Sequence, residues 1–370
     1  MRGRPGLVTA YRRDMSIFPT TTQRVWFLAF CVALASLTFF LSDDLASRAA
    51  SAAAAAVGAI GLNLVTGWAG QISLGHAFFL GVGAYTAAAL GGEPGGPLIG
   101  LGLEMWIWLP AAGVIAALAG FIVAPIAFRL RGLYLAFVTL GLVFIGEHIF
   151  REWDSLTGGI GVGRSTAKPV IFGYDLSKEG SLLGFTLSPE QQYYLFALIV
   201  LLVMGLFAKN LVRSRTGRAF SAIRDRDVAA EIMGINLSRS KLIAFTISSF
   251  YAGVAGALIW TFIGFVEPRS FSLTLSIVYI AMILIGGAAS IMGSIMGAVF
   301  ITFLPRIVDL VAGFVPFIED SPSGGFLTVV QIEQILFGLL IVVFLIVEPL
   351  GLHGIWIRIR NYWKAWPFSY

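Results

Sequence analysis

Residues 66–79 read TGWAGQISLGHAFF, a polar, glycine-rich stretch set between SAAAAAVGAIGLNLV (51–65) and FFLGVGAYTAAAL (78–90). Gly67, Gly70 and Gly75 permit backbone geometry outside the helix. Thr66, Gln71, Ser73 and His76 supply hydrogen-bonding groups for whatever backbone such a break exposes. The surrounding chain explains why the break matters. Of 370 residues, 58% are hydrophobic and 12% charged, which leaves too little polar surface to cover a water-soluble globule. The chain is therefore an integral membrane protein, and irregular backbone at membrane depth survives only where protein or a water-filled cavity surrounds it. The break is expected to face the interior of the bundle. A helix restarting at about Ser73 would point its positive end inward, where a carboxylate can be held.

Working outward, apolar runs near the ~20 residues needed to cross a hydrocarbon core recur along almost the whole chain. Ten crossings are expected, near 25–41, 47–65, 74–91, 106–128, 132–150, 192–208, 242–263, 271–290, 291–311 and 327–347. The fold class is all-α, polytopic, with a broken or re-entrant segment near 66–76. The short alternating segments of a membrane barrel are absent from the pattern. The run continues through Leu37–Leu41 past the small residues Ala33-Leu34-Ala35, as an uncleaved anchor would and a signal peptide would not.

Basic residues choose the orientation. Five lie in 1–24, two in the Arg129/Arg131 turn, eight in 209–241 and three beyond 350, together 18 of the 25 Lys and Arg. These faces are read as cytoplasmic, with both termini inside, and the Asp43-Asp44 and Glu319-Asp320 turns outside. The resulting plan has a basic tail (1–24), a first membrane half with the break (25–150) and an external loop (151–191). A second membrane half (192–350) carries a cytoplasmic loop (209–241), and a cytoplasmic tail (351–370) follows. The net charge of +5 reports topology. A nucleic-acid binder would gather its basic residues on a soluble surface, so no nucleic-acid partner is expected.

A second glycine-rich break, GGAASIMG (286–293), mirrors the first in the opposite half of the chain. Paired breaks of this kind point to a transport site. The alanine run at 51–61 reads as a packing face that lets helices approach closely.

Other motifs carry less chemistry. GGIGVGRS (158–165) nearly fits a phosphate-binding loop, but Arg164 stands where the lysine belongs and neither the strand nor the helix of that motif flanks it. No nucleotide cofactor is expected. His76, His148 and His353 are scattered without ligand spacing and Cys31 is the only cysteine, so no metal site or intrachain disulfide is expected. Ionisable groups inside the crossings are scarce. Arg306 and Asp309 stand three apart on one helix as an expected pair, and Glu333 lies near a helix start, so ion coupling has little support. An energy source outside the chain is implied, and the basic loop offers its entry. There 217–233 reads as a helix with apolar Phe220, Ile223, Ala230 and Met233 among charged neighbours. Mixed charges at Arg224-Asp225-Arg226-Asp227 and Glu231 favour a protein partner, with membrane lipid as the other reading.

Four ordered blocks then resemble a known family: GLNLVTGWAGQISLGHAFFLGVGAYTAA (61–88), RGLYLAFVTLGLVFIGEHIF (131–150), WDSLTGGIGVG (153–163) and GRAFSAIRDRDVAAEIMGINLSRSKLIAFTISSFYAGVAGAL (217–258). They resemble the permease subunits of bacterial ABC importers for branched-chain amino acids, and among these the second of the two related permeases such systems carry. The resemblance implies a multi-pass protein of the bacterial inner membrane, paired with a second permease subunit as a hetero- or homodimer. It implies two cytosolic ABC ATPases and a periplasmic or lipid-anchored solute-binding protein. It also implies a cytoplasmic loop that docks on the ATPase. Ala229-Ala230-Glu231-Ile232-Met233-Gly234 stands where the family has its E-A-A…G pattern, in altered order.

On this reading Asn63, Thr66, Gln71, Ser73 and His76 are candidates to line the solute path. Gly217, Arg218, Arg224, Asp227, Ala230, Glu231 and Gly234 are candidates for ATPase coupling. No catalytic residue is expected. The alternatives are a stand-alone secondary transporter or channel for a small polar solute such as urea or a short amide, and an intramembrane enzyme, which would need a catalytic pair that the separated histidines do not offer.

Overall fold

The computed structural model describes residues 21–96, 98–127, 130, 132–159, 161–182, 185–312, 329–348 and 350–365. The Glu319-Asp320 turn, the Arg129/Arg131 turn, most of the N-terminal tail and the side chains of Asp309 and Glu333 lie outside the described residues.

A helix stands at each of the ten apolar segments: α1 (Thr21–Ser36), α2 (Asp43–Asn63), α3 (His76–Gly91), α4 (Met105–Ala127), α5 (Leu133–Glu152), α7 (Pro189–Arg213), α10 (Leu237–Ile263), α11 (Leu273–Gly286), α12 (Ile291–Ala312) and α13 (Val329–Val347). Shorter or polar helices complete the set: α6 (Asp154–Thr157), α8 (Arg215–Asp225), α9 (Asp227–Ile232) and α14 (Gly351–Ala365). Six of the apolar helices are long and apolar enough to cross a membrane, while α3, α11 and the described part of α12 are shorter. For α3 and α11 the cause is the same, a glycine-rich break that takes residues the apolar pattern had assigned to a crossing.

The core is built on α2, α3 and α10, with α4, α7, α11 and α12 packed around them. The alanine run of α2 is buried throughout, as its small residues predict. Close approach is the reason for its glycines: a Cβ on Gly61 would lie 2.4 Å from Tyr251 Cβ. The same holds between α3 and α10, where a Cβ on Gly83 would meet Gly253 O at 2.1 Å. Without a hydrophobic force between helices in lipid, such backbone-to-backbone packing is what holds them together. Apolar side chains point outward on α4 and α5, among them Leu118, Ile122, Phe137 and Ile145, as expected of a surface solvated by lipid.

The loop 151–191 departs from an all-helical plan. Among the described residues it holds β1 (Arg164–Ser165), β2 (Val170–Ile171), β3 (Tyr174–Asp175), β4 (Gly180–Leu182) and β5 (Phe185–Leu187). β2 pairs with β3 and β4 with β5, while β1 pairs antiparallel with β6 (Phe265–Val266), which follows α10. α7 then starts on a capping box, with Ser188 Oγ accepting from Gln191 N and Gln191 Oε1 accepting from Ser188 N. Gln191 Nε2 also donates to Leu41 O, and Tyr194 donates to Leu34 O, which ties α1 to the bundle.

Two further differences concern the polar segments. The helix expected over 217–233 is split in two at Arg226, whose backbone is extended (φ −156°, ψ 101°). Phe220, Ile223 and Ala230 are buried as the pattern predicts, but Met233 is 82% exposed because the split rotates it away from the bundle. The tail beyond 350 folds into α14 and packs back against α11 and α12.

Candidate functional site

The break begins before the last turn of α2 is complete. Leu64–Trp68 widens into a π-helical turn, and Gly70 follows at φ +68°, a conformation that ordinary side chains disfavour. The chain then runs without regular structure to Gly75, and α3 starts at His76. This corrects the expected start at Ser73. The first amides are also taken: Leu74 N donates to Thr139 Oγ1 (2.9 Å), Gly75 N to Ser73 Oγ (3.4 Å) and Ala77 N to Ser276 Oγ (3.0 Å). Hydroxyls of α5 and α11 thus do what a bound carboxylate was expected to do. Sequence reading missed Thr139 and Ser276, since a single hydroxyl in an apolar helix more often bonds its own backbone.

Asn63 joins the two breaks. It is fully buried at the end of α2, and its Nδ2 donates to Ser294 Oγ (2.7 Å), Ser290 O (3.1 Å) and Gly287 O (3.3 Å). Its Oδ1 accepts from Ala289 N at 2.9 Å. Both amide protons and one lone pair of the amide oxygen are therefore spent on the second break, between α11 and α12. Ala289 itself sits at φ +55°, and its amide is held there by Asn63. Gly67 is confined by the same contact, since a Cβ there would lie 1.9 Å from Asn63 Oδ1. α11 and α12 meet across the second break at a comparable distance: a Cβ on Gly286 would fall 2.1 Å from Gly293 O.

The remaining polar residues of the first break divide into two kinds. Thr66 Oγ1 donates to Gln71 O (3.1 Å) and Gln71 N to Val65 O (2.9 Å), bonds that hold the turn in shape. Gln71 and His76 are 5% and 2% exposed. Yet among the described residues neither side-chain amide atom of Gln71 has a hydrogen-bond partner, nor does His76 Nε2. The His76 ring lies 4.8 Å from that of Tyr279, whose hydroxyl is also buried and unpartnered. Buried polar groups are satisfied in the great majority of cases, so several unpaired groups within one break mark a place where structure alone does not account for the residues.

α8 closes the break from outside the bundle. Arg224 Nη1 donates to Gly67 O at 3.1 Å, and a Cβ on Gly70 would meet Arg224 Cγ at 2.9 Å. Between them lies a cleft of about 230 Å³, lined by Ala69, Gly70 and Gln71 of the break and by Arg224, Asp225 and Asp227 across from it. Arg224 also pairs with Asp225 (3.0 Å).

The other coupling candidates shape the loop. Gly217 is buried where a Cβ would strike Val212 O at 2.2 Å, Arg218 Nη1 donates to Arg213 O, and Asp227 Oδ1 accepts from Val228 N. Ala230 anchors α9 inward, Glu231 is exposed, and Gly234 ends α9 at φ +85°. A second cleft of about 470 Å³ opens beside Glu231 and Gly234. Arg224 reaches the break, whereas Glu231 stands away from it on the outer side of the loop. The second break has its own floor: a Cβ on Gly287 would lie 2.7 Å from Leu350 O and 3.0 Å from His353 Cβ, at the start of α14.

Comparison with known proteins fixes what kind of molecule carries this site. Residues 45–345 match the family model described as the permease component of branched-chain amino acid transport systems. The chain belongs to that family. This permease is 34% identical over 294 residues to the high-affinity branched-chain amino acid transport system permease protein LivM of Escherichia coli, covering 76% of this chain and 68% of the relative. The protein of the same name from Salmonella typhimurium matches to the same extent. This permease is also 28% identical over 337 residues to a probable ABC transporter permease protein, y4mJ, of Sinorhizobium fredii, covering 88% and 90% of the two chains. LivH of Escherichia coli, also a branched-chain amino acid permease, matches at 26% over 304 residues, 80% and 90% of the two. No solved structure matches this permease.

Proposed function

We propose that this permease is one membrane subunit of an ABC importer for branched-chain amino acids or related small solutes. It moves them across the bacterial inner membrane by alternating access and does no chemistry of its own. The family and the LivM and LivH relatives support the transport reading over a stand-alone channel or secondary transporter. A second permease subunit completes the path, two cytosolic ATPases supply the energy, and a solute-binding protein delivers the solute on the outer side. In this arrangement the chain crosses ten times with both termini in the cytoplasm, and the two breaks, α8, α9 and α14 share the cytoplasmic end.

One contact carries the mechanism, the hydrogen bond from Arg224 Nη1 to Gly67 O. ATPase closure displaces the loop 209–241 through Glu231 and its neighbours. α8 moves with it, and Arg224 pulls on a π-turn whose geometry is already irregular. Asn63 passes the displacement to the second break, so both breaks rearrange together. Within this scheme the path candidates divide by role. Asn63, Thr66 and Ser73 hold the breaks, while Gln71 and His76 keep unpaired groups for solute or for the water that accompanies it.

The test is uptake by the assembled importer in proteoliposomes, measured together with ATP hydrolysis. Arg224→Ala combined with Glu231→Ala is expected to insert and assemble normally and to hydrolyse ATP, with solute uptake lost. Normal uptake in that variant would sink the coupling assignment.

A further inference from the structure

α14 presents a face that nothing among the described residues covers. Ile355, Trp356, Ile359, Tyr362 and Trp363 recur at helical spacing along one side, each between 40% and 71% exposed. Arg358 and Arg360 flank Ile359 in sequence, so they fall about 100° to either side of the stripe's centre. Both are exposed. Residues 351–370 contain two arginines and a lysine but no aspartate or glutamate.

The position of the helix decides among possible occupants. α13 carries an exposed apolar stripe of its own, Ile335, Leu339, Val342 and Ile346, and α14 begins a few residues after α13 ends. Gly351, at φ +63°, makes the turn, and Arg358 pairs with Glu348 across it. The apolar stripe of α13 is thus followed in sequence by a helix whose exposed face combines tryptophan, tyrosine and isoleucine with basic shoulders. That composition and that place, where a span leaves the hydrocarbon, are those of a helix lying in the headgroup layer.

We infer that α14 docks on the membrane surface and binds the headgroups of anionic phospholipid through Arg358 and Arg360, with Ile355, Trp356, Ile359 and Trp363 inserted between them. The helix that floors the second break is thereby anchored to the lipid. The inference rests on the chain spanning a membrane and not on its solute or ATPase.

The test uses the full chain in nanodiscs. Cys31→Ser removes the native thiol, and a bimane label is placed at Ile359→Cys on the stripe or at Asn361→Cys away from it. Quenching by phospholipid spin-labelled near the headgroup is then read in discs with and without phosphatidylglycerol. Expected is several-fold stronger quenching at position 359 than at 361 in the anionic discs. The surplus should fall about fivefold with Arg360→Gln, the attraction one basic residue contributes near such a surface, and fall likewise without phosphatidylglycerol. Trp363→Cys, on the same face, repeats the measurement if the first labelled chain does not elute as a single folded species. Equal quenching at 359 and 361, or quenching indifferent to both lipid charge and Arg360, would overturn the inference. So would a label at 359 shielded from lipid and crosslinking to a second copy or to an ATPase. None of these outcomes touches the transport reading, since neither solute nor ATP is present.

Discussion

The two ends of α3 are both wrapped by glycine-rich loops that look alike in sequence, TGWAGQISLG at 66–75 and TGGIGVGR at 157–164. Their structures differ in one respect that matters. The second loop is saturated: Arg164 is buried, and its Nη2 donates to Ala88 O (2.7 Å) and Ile99 O (2.9 Å) while Nη1 donates to Leu156 O (2.7 Å). A cation sits on the carboxyl end of α3, where the helix dipole favours it, and ties three backbone carbonyls together. The loop at 66–75 ends in neutral hydroxyls and leaves the Gln71 side-chain amide and His76 Nε2 without a partner among the described residues. One end is finished and the other is poised.

Substitutions can break this contrast, and the largest effect is expected at the finished end. Arg164→Met removes the buried guanidinium that donates to the carbonyls of Ala88, Leu156 and Ile99, and the fold should lose about 3–5 kcal/mol. Thermal or detergent unfolding of the purified protein measures this, and a small loss would mean the outer end is not the anchor. Asn63→Leu comes next. It keeps the branched shape but strips the second break of its donor and acceptor, so a loss of about 2–3 kcal/mol is expected, together with loss of uptake in proteoliposomes. Retained uptake would separate the two breaks mechanically.

Gln71→Met sharpens the contrast because its sign is opposite. Deleting two unpaired buried polar atoms should leave stability unchanged or raise it by about 1 kcal/mol, while uptake falls. A destabilised protein would show that the amide is structural after all. The smallest effect is expected at Lys168, whose ammonium bonds Glu93 at 2.6 Å on the outer surface. The pair holds the Glu93 carboxyl below its usual range and Lys168 above its own, but both groups are exposed. Lys168→Ala should change neither unfolding nor uptake, since exposed pairs are screened by solvent.

Much of this was legible from the residues themselves. The break at 66–76 was readable from its glycines, and its pairing with 286–293 from the matching interruption of a second apolar run. The buried side of the loop helix was readable at Phe220, Ile223 and Ala230, because apolar spacing records which face is covered. Met233 was misread because the extended backbone at Arg226 resets the helical phase, and a single residue outside the helix leaves little trace in such a pattern. The role of Arg164 was hidden for another reason. Its partners are backbone carbonyls 65 and 76 residues away as well as 8 away, and carbonyls have no identity in a sequence. The start of α3 was placed too early because the hydroxyls of Thr139 and Ser276 satisfy the amides that an earlier helical turn would have used.

What the sequence by itself determined is the class of molecule: a helical membrane protein with interrupted crossings and a polar, basic loop between two of them. Lipid makes that legible, because it demands that every backbone bond be closed within a short run of apolar residues, and so writes its requirement locally. Tertiary structure alone decided which polar groups in the breaks are spent and which are left over. Asn63 finds Ser294, and Arg224 finds Gly67, across 231 and 157 residues. Hydrogen bonds of such short range are settled by where helices come to lie beside one another, a matter on which spacing along the chain is silent.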